Sequence, residues 1–136
     1  MLSNRSIPRS TVIPEIAYPD VLAAADWLCT AFGFAVRLYI GDHRVQLNVG
    51  DGAVILTEQE GNPGRDSHSV LVRVPDVDSH HEHARQNGAD VLRPPASYPY
   101  GERQYTVEDF AGHRWTFSQS IADVDPVDWG GTPGQL

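Results

Sequence analysis

A single cysteine, Cys29, rules out an internal disulfide and any Cys-rich metal framework or CxxC redox motif. Cys29 lies among apolar residues at helical spacing, so it reads as a buried thiol and not as a nucleophile. Basic residues are also scarce. Ten Lys and Arg stand against 18 Asp and Glu, for a net charge of -8, which opposes binding to phosphate backbones or anionic lipid. There is no apolar run of the roughly 18 residues that a membrane span needs, and the opening MLSNRSIPRS is polar and broken by proline, unlike a secretory leader. Phosphate loops, nucleophile elbows and dinucleotide fingerprints are missing as well. The expectation is a cytoplasmic protein with no nucleic-acid or membrane partner, for which a neutral or cationic small molecule is the easiest ligand to accommodate.

What the chain does have is an ordinary globular balance, 40% apolar and 21% charged, over 136 residues. It also has an internal repeat. Ala17-Tyr18-Pro19-Asp20-Val21 and Arg73-Val74-Pro75-Asp76-Val77 lie 56 positions apart, since 76 less 20 is 56. Each opens a helical stretch that closes at a glycine, Gly33 or Gly88, 13 and 12 positions after its aspartate. Asp20 and Asp76 have the chemistry of N-caps, and the two glycines that of C-terminal stops. Val21, Ala25, Leu28, Cys29 and Phe32 share one 3.6-period face in the first helix. The second helix is polar, with Val77, His81 and Ala84 as its inner face and the cluster His80-His81-Glu82-His83 as solvated surface.

Three short extended runs follow each glycine. They are Val36 to Ile40, Arg44 to Val49 and Ala53 to Glu58 in the first half; Asp90 to Arg93, Arg103 to Val107 and His113 to Gln119 follow in the second, the first of these ending at Pro94-Pro95. Each half reads β-α-β-β-β, with the breaker-rich link Glu60 to Asp66 as the joint. One helix covers one face of a sheet, so the modules are expected to pair around a cupped inner surface suited to a ligand. The fold class is α+β: a single domain over 1-136, with module one at about 11-59, module two at about 67-119 and an irregular extension over 120-136.

Tyr18-Pro19-Asp20-Val21 through Phe32-Gly33-Phe34 resembles the vicinal oxygen chelate superfamily, which holds glyoxalases, extradiol dioxygenases and bleomycin-resistance proteins. Tyr100-Gly101-Glu102-Arg103, leading into Glu108-Asp109-Phe110-Ala111-Gly112-His113-Arg114-Trp115, is similar to the final hairpin of its bleomycin-resistance-like branch. The resemblance implies the glyoxalase/bleomycin-resistance fold and homodimers. It also implies metal-ligand positions on the first and last strand of each module. The first-strand positions fall on Pro14 and Val70 in one register or, in the register closer to the family pattern, on Ile13 and Ser69, and the last-strand positions on Leu56 and Thr116, the latter where the family usually places Glu. Such residues cannot furnish the three or four His, Cys or carboxylate donors of a transition-metal site. His68 is one residue out of place and in a strand would face the other way. No cofactor is expected.

The aromatic residues carry the remaining signal. Tyr39, Tyr98, Tyr100 and Tyr105, with Arg103 and Gln104 between them, would rim or line the cup; Gln46, Arg73, Arg114 and Thr116 complete the expected ligand-binding set. No catalytic residue and no metal ligand is assigned. Trp27, Phe32, Phe34, Trp115 and Phe117 belong to the helix side, and Trp129 of the tail docks on a neighbouring surface. The expected function is metal-independent binding of a bulky, partly aromatic small molecule, as in antibiotic sequestration. The alternative is a lyase, isomerase or dioxygenase of the same superfamily, with Glu15 as base beside Arg73 or Tyr105; a Glu15 paired with Arg73 or Arg114 would be structural.

Overall fold

Both expected caps form. Asp20 Oδ1 accepts from the Ala23 amide at 3.1 Å and Asp76 Oδ1 from the Ser79 amide at 3.1 Å, starting helices α1 (Val21–Phe32) and α2 (Val77–Gln86). The first helix stops where Gly33 turns left-handed at φ 79°, a conformation that costs glycine nothing. The computed structural model describes residues 4–59 and 68–134, so the link Glu60 to Asp66 lies outside the described residues. Backbone contacts divide the chain into two compact units, Met1–Gly64 and Arg65–Leu136.

In module one, strands β1 (Glu15–Tyr18), β2 (Ala35–Ile40), β3 (Arg44–Val49) and β4 (Gly52–Glu58) form one sheet in the order β1-β4-β3-β2, with β1 parallel to β4. α1 packs on one face of it, and Val21, Ala24, Ala25, Leu28, Ala31 and Phe32 are buried. The residues beneath the helix are set by cross-strand register: Ile16 opposite Leu56, Leu56 opposite Val45, all at most 2% exposed. Cys29 is only half-buried, and burial followed by the nearby Asp26 pushes its thiol pKa up.

Module two repeats the pattern. β5 (Ser69–Arg73), β6 (Asp90–Ser97), β7 (Glu102–Glu108) and β8 (Arg114–Ser120) take the order β5-β8-β7-β6, with α2 against β6, β7 and β8. Its helix-covered face holds Tyr105, Val107, Trp115 and Phe117, each at most 1% exposed. The polar helix contributes little apolar area, Val77 and Ala84 only, and is fixed by polar bonds instead. The Val77 amide donates to Gln119 Oε1 at 3.0 Å.

Two expectations are corrected here. Pro94-Pro95 does not end its strand: β6 runs through to Ser97 because it is the edge strand, where proline costs no ladder bond, and the register slips between Arg93 and Ala96. His80 is not solvated surface. Its ring lies 4.1 Å from that of Phe117, and Nδ1 is 2.6 Å from the Tyr105 hydroxyl. The tail after β8 contains a short 3-10 turn, Pro126–Trp129, that brings Trp129 to within 5.5 Å of the Tyr100 ring.

Candidate functional site

In each sheet the face away from the helix is the one able to meet a ligand. In module two strand alternation sends Ser69, Leu71 and Arg73 of β5 to that open face, opposite Arg114, Thr116 and Ser118 of β8. Thr106 follows on β7, its hydroxyl 3.1 Å from that of Thr116. A cavity of about 720 Å³ opens over this row, lined by His68, Ser69, Leu92, Arg93, Thr106, Arg114 and Thr116. Arg114 Nε is 3.9 Å from Glu108, a partial neutralisation. Although the chain as a whole is acidic, this lining is locally basic.

The neighbouring end of the open face is aromatic. Tyr98 and Tyr100 stack with ring centroids 5.4 Å apart and planes 5° from parallel. The Tyr100 hydroxyl donates to Gln104 Oε1 at 3.1 Å, Gln104 Nε2 donates to Ser118 Oγ at 3.0 Å, and Ser118 Oγ donates to Glu102 Oε1 at 2.7 Å. This relay terminates on a carboxylate that bonds from Ser120 and Ser118 hold below its ordinary range. Desolvation, with Tyr98 and Glu102 adding to it, raises the Tyr100 phenol. The tail closes over this end. Gly101 (φ +84°) sits so near Ala122 that an added Cβ would fall 2.3 Å from its carbonyl oxygen.

The open face of module one is differently furnished. Gln46, 2% exposed, stands between Leu38 and Ile55 in the cross-strand row that ends at Glu15. Arg37 Nη1 donates to Gln46 Oε1 at 2.6 Å.

Of the residues expected to contact a ligand, Arg73, Arg114 and Thr116 therefore share the open face of module two, the Tyr98 and Tyr100 stack adjoins it, and Gln46 lies on that of module one. Three others are placed elsewhere. Tyr105 is under α2, stacked on Phe117 at 5.3 Å. Arg103 alternates with Gln104 onto the helix side and binds Asp78, Nη2 to Oδ1 at 3.0 Å. Tyr39 is opposite Val45, so it belongs to the helix-side row at an edge the helix leaves 56% exposed. Parity also moves the last-strand position of module one from Leu56, which faces α1, to Ile55. Glu15 pairs with Arg44 at 2.6 Å, and Arg114 has Glu108 beside it.

Sequence reasoning set Gln104 beside Arg103 without assigning it to the ligand-binding set, and it passed over Thr106 and Ser118, although counting by twos from Thr116 and across the hairpin reaches all three. His68 lies just before β5, where strict alternation has not begun, and reaches the cavity rim. Among the described residues no three His, Cys, Asp or Glu side chains gather as a metal site, and no helix is long and apolar enough to cross a membrane.

Residues 11–117 match the family model of the Glyoxalase/Bleomycin resistance protein/Dioxygenase superfamily. The chain belongs to that superfamily. It is similar to TioX from Micromonospora sp. ML1, with 33% identity, 85% of this chain and 100% of that chain covered, and a TM-score of 0.69. The fold is also that of the bleomycin-binding protein from bleomycin-producing Streptomyces verticillus, solved with copper(II)-bleomycin, at 22% identity over 82% of this chain and 96% of that one, TM-score 0.64. A glyoxalase/bleomycin resistance protein/dioxygenase from Nocardioides aligns over 100% of this chain and 92% of its own length at 17% identity and TM-score 0.66. No curated protein matches the chain.

Proposed function

We propose that this protein is a metal-independent binder of a bulky, partly aromatic small molecule, acting by sequestration of an antibiotic or natural product and not by catalysis. One observation carries the reading. Where the family places a ligating carboxylate, the open face of module two presents Thr116, its hydroxyl engaged with that of Thr106. A hydroxyl pair offers hydrogen bonds to a ligand's polar edge but holds no transition metal.

The stacked tyrosines supply the second element of recognition. A planar ring laid against the Tyr98–Tyr100 stack gains about 0.5–1.5 kcal/mol per aromatic pair beyond burial, roughly a two- to tenfold gain in affinity for each contact on top of what burial supplies. Arg93 and Arg114 favour an acidic or carbonyl-rich edge on the ligand, which shifts the expectation away from a cationic one. The likeness to a bleomycin-binding protein supports the same class of ligand. The homodimer implied by the family resemblance is part of this proposal, as is a cytoplasmic location.

Titration of the purified protein with copper(II)-bleomycin and a panel of planar aromatic antibiotics, followed by tryptophan fluorescence, tests it. Trp129, beside Tyr100, should be quenched on binding. Tyr100→Ala should weaken a stacked ligand about tenfold, whereas Tyr100→Phe should cost much less. Stoichiometric zinc, manganese or iron in the purified protein, together with turnover of a glyoxalase- or dioxygenase-type substrate, would replace the binder with the enzyme.

A further inference from the structure

The first described residues do not lie free of module one. They cross the open face of its sheet as a strap. Arg37 Nη2 donates to the carbonyls of Arg5 at 3.0 Å and Ile7 at 3.2 Å, while Gln46 Nε2 donates to the Ser6 carbonyl at 2.9 Å. Three consecutive main-chain carbonyls are thus read by two side chains of the sheet. Arg37 and Gln46 are themselves locked together at 2.6 Å, so the three donors are held as one unit. Pro8 of the strap is buried, Ile7 is 52% exposed, and none of residues 4–10 belongs to a helix or strand. Beside the strap, Asn4, Arg5, Ser6, Arg9 and Leu38 line a cavity of about 670 Å³.

The bonds from the sheet read main-chain carbonyls, while the strap's own side chains set its shape: Asn4 Oδ1 accepts from the Ser6 amide at 3.0 Å, and Pro8 is buried. A guanidinium fork and a primary amide aimed at successive carbonyls suit a peptide backbone that can take up the same turn. We propose that the open face of module one is a receptor for a peptide backbone, occupied in cis by Asn4–Pro8, and that a peptidic ligand binds there by displacing the strap. The strap is then a built-in competitor: it satisfies Arg37 and Gln46 in the unliganded protein and lowers the affinity of any ligand whose carbonyls accept less well. This inference stands on module one alone and survives or fails independently of the stacked-tyrosine site.

The strap carries its own reporter. The chain has no lysine, so trypsin can cut only after arginine, and cutting after Arg5 requires the carbonyl that Arg37 holds. In the full-length chain carrying Arg9→Gln, which removes the adjacent site, cleavage between Arg5 and Ser6 should be at least about tenfold slower than in a free peptide of the same sequence. Arg37→Met and Gln46→Leu should each restore most of the free rate, and Arg37→Lys, which keeps the charge without the fork, only part of it. Continued protection of the bonds after Arg73 and Arg103, both within strands, separates strap release from unfolding. Acetyl-Asn-Gln-Ser-Ile-Pro-amide, which trypsin ignores, should accelerate cleavage of the Arg9→Gln chain in a saturable way, and a scrambled peptide should not. Cleavage at the free-peptide rate, or indifference to both Arg37→Met and Gln46→Leu, would overturn the strap; failure of the matching peptide to accelerate it would overturn the receptor.

Discussion

His80 Nδ1 and the Tyr105 hydroxyl meet at 2.6 Å, joining the polar helix α2 to the buried strand β7 at a point where Tyr105 is only 1% exposed. Because α2 buries only Val77 and Ala84 completely, polar contacts such as this bond, the Val77–Gln119 bond and the Asp78–Arg103 pair join burial in holding the helix. Desolvation drives the Tyr105 phenol far above its ordinary range, so the hydroxyl stays protonated at any working pH. Tyr105→Phe should lower stability by about 1 kcal/mol, read as a shift in urea midpoint at constant slope. An unchanged midpoint would mean that water replaces the hydroxyl without loss.

Asp109 organises the last hairpin. Its Oδ1 accepts from the Ala111 and His113 amides, both at 3.0 Å, and its Oδ2 from Trp115 Nε1 at 3.1 Å. Removing the carboxylate strands these donors in a buried turn, so Asp109→Ala should cost about 2–4 kcal/mol. Asp109→Asn, which keeps one acceptor oxygen, should cost less. Equal losses for the two variants in chemical denaturation would argue that the charge, and not the bonding geometry, matters.

Gly101→Ala combines a left-handed φ of +84° with a Cβ placed 2.3 Å from the Ala122 carbonyl oxygen. The variant should lose roughly 1–3 kcal/mol, and the tail should shift, with loss of the Tyr100–Trp129 contact in nuclear Overhauser spectra. Persistence of that contact at wild-type stability would show that the tail yields freely.

Glu102 sets a pH dependence with a definite sign. Its folded pKa lies below the ordinary value of 4.5, chiefly through bonds from Ser120 and Ser118. The stability it contributes is complete above pH 4.5 and is lost as pH falls through the lower, folded pKa. In Glu102→Gln the decline of melting temperature below that pH should be shallower. Parallel curves for the two proteins would assign the acid sensitivity to other carboxylates.

The architecture was legible because it rests on local chemistry: Asp caps, glycine stops and period-two strands recur in both halves and announce the same module twice. The open face was legible only in part, because a one-residue error in parity exchanges floor for core. That error accounts for Leu56 in place of Ile55 and for Arg103 being set on the open face beside Gln104. Tyr105 misled for another reason: a phenol can face a core when a partner such as His80 takes its hydroxyl, and that partner is brought there by tertiary packing alone. The strap over Gln46 has no periodic signal, since its bonds use main-chain carbonyls that every sequence supplies.

The prolines of β6 have one more effect. An outer strand with unoccupied amides invites another chain to continue the sheet, a common beginning of fibrils. With Pro94 and Pro95 in that strand and its register broken around them, this border of module two lacks consecutive donors for such an intruder. A chain that stays dispersed at high concentration gains from that blunted margin.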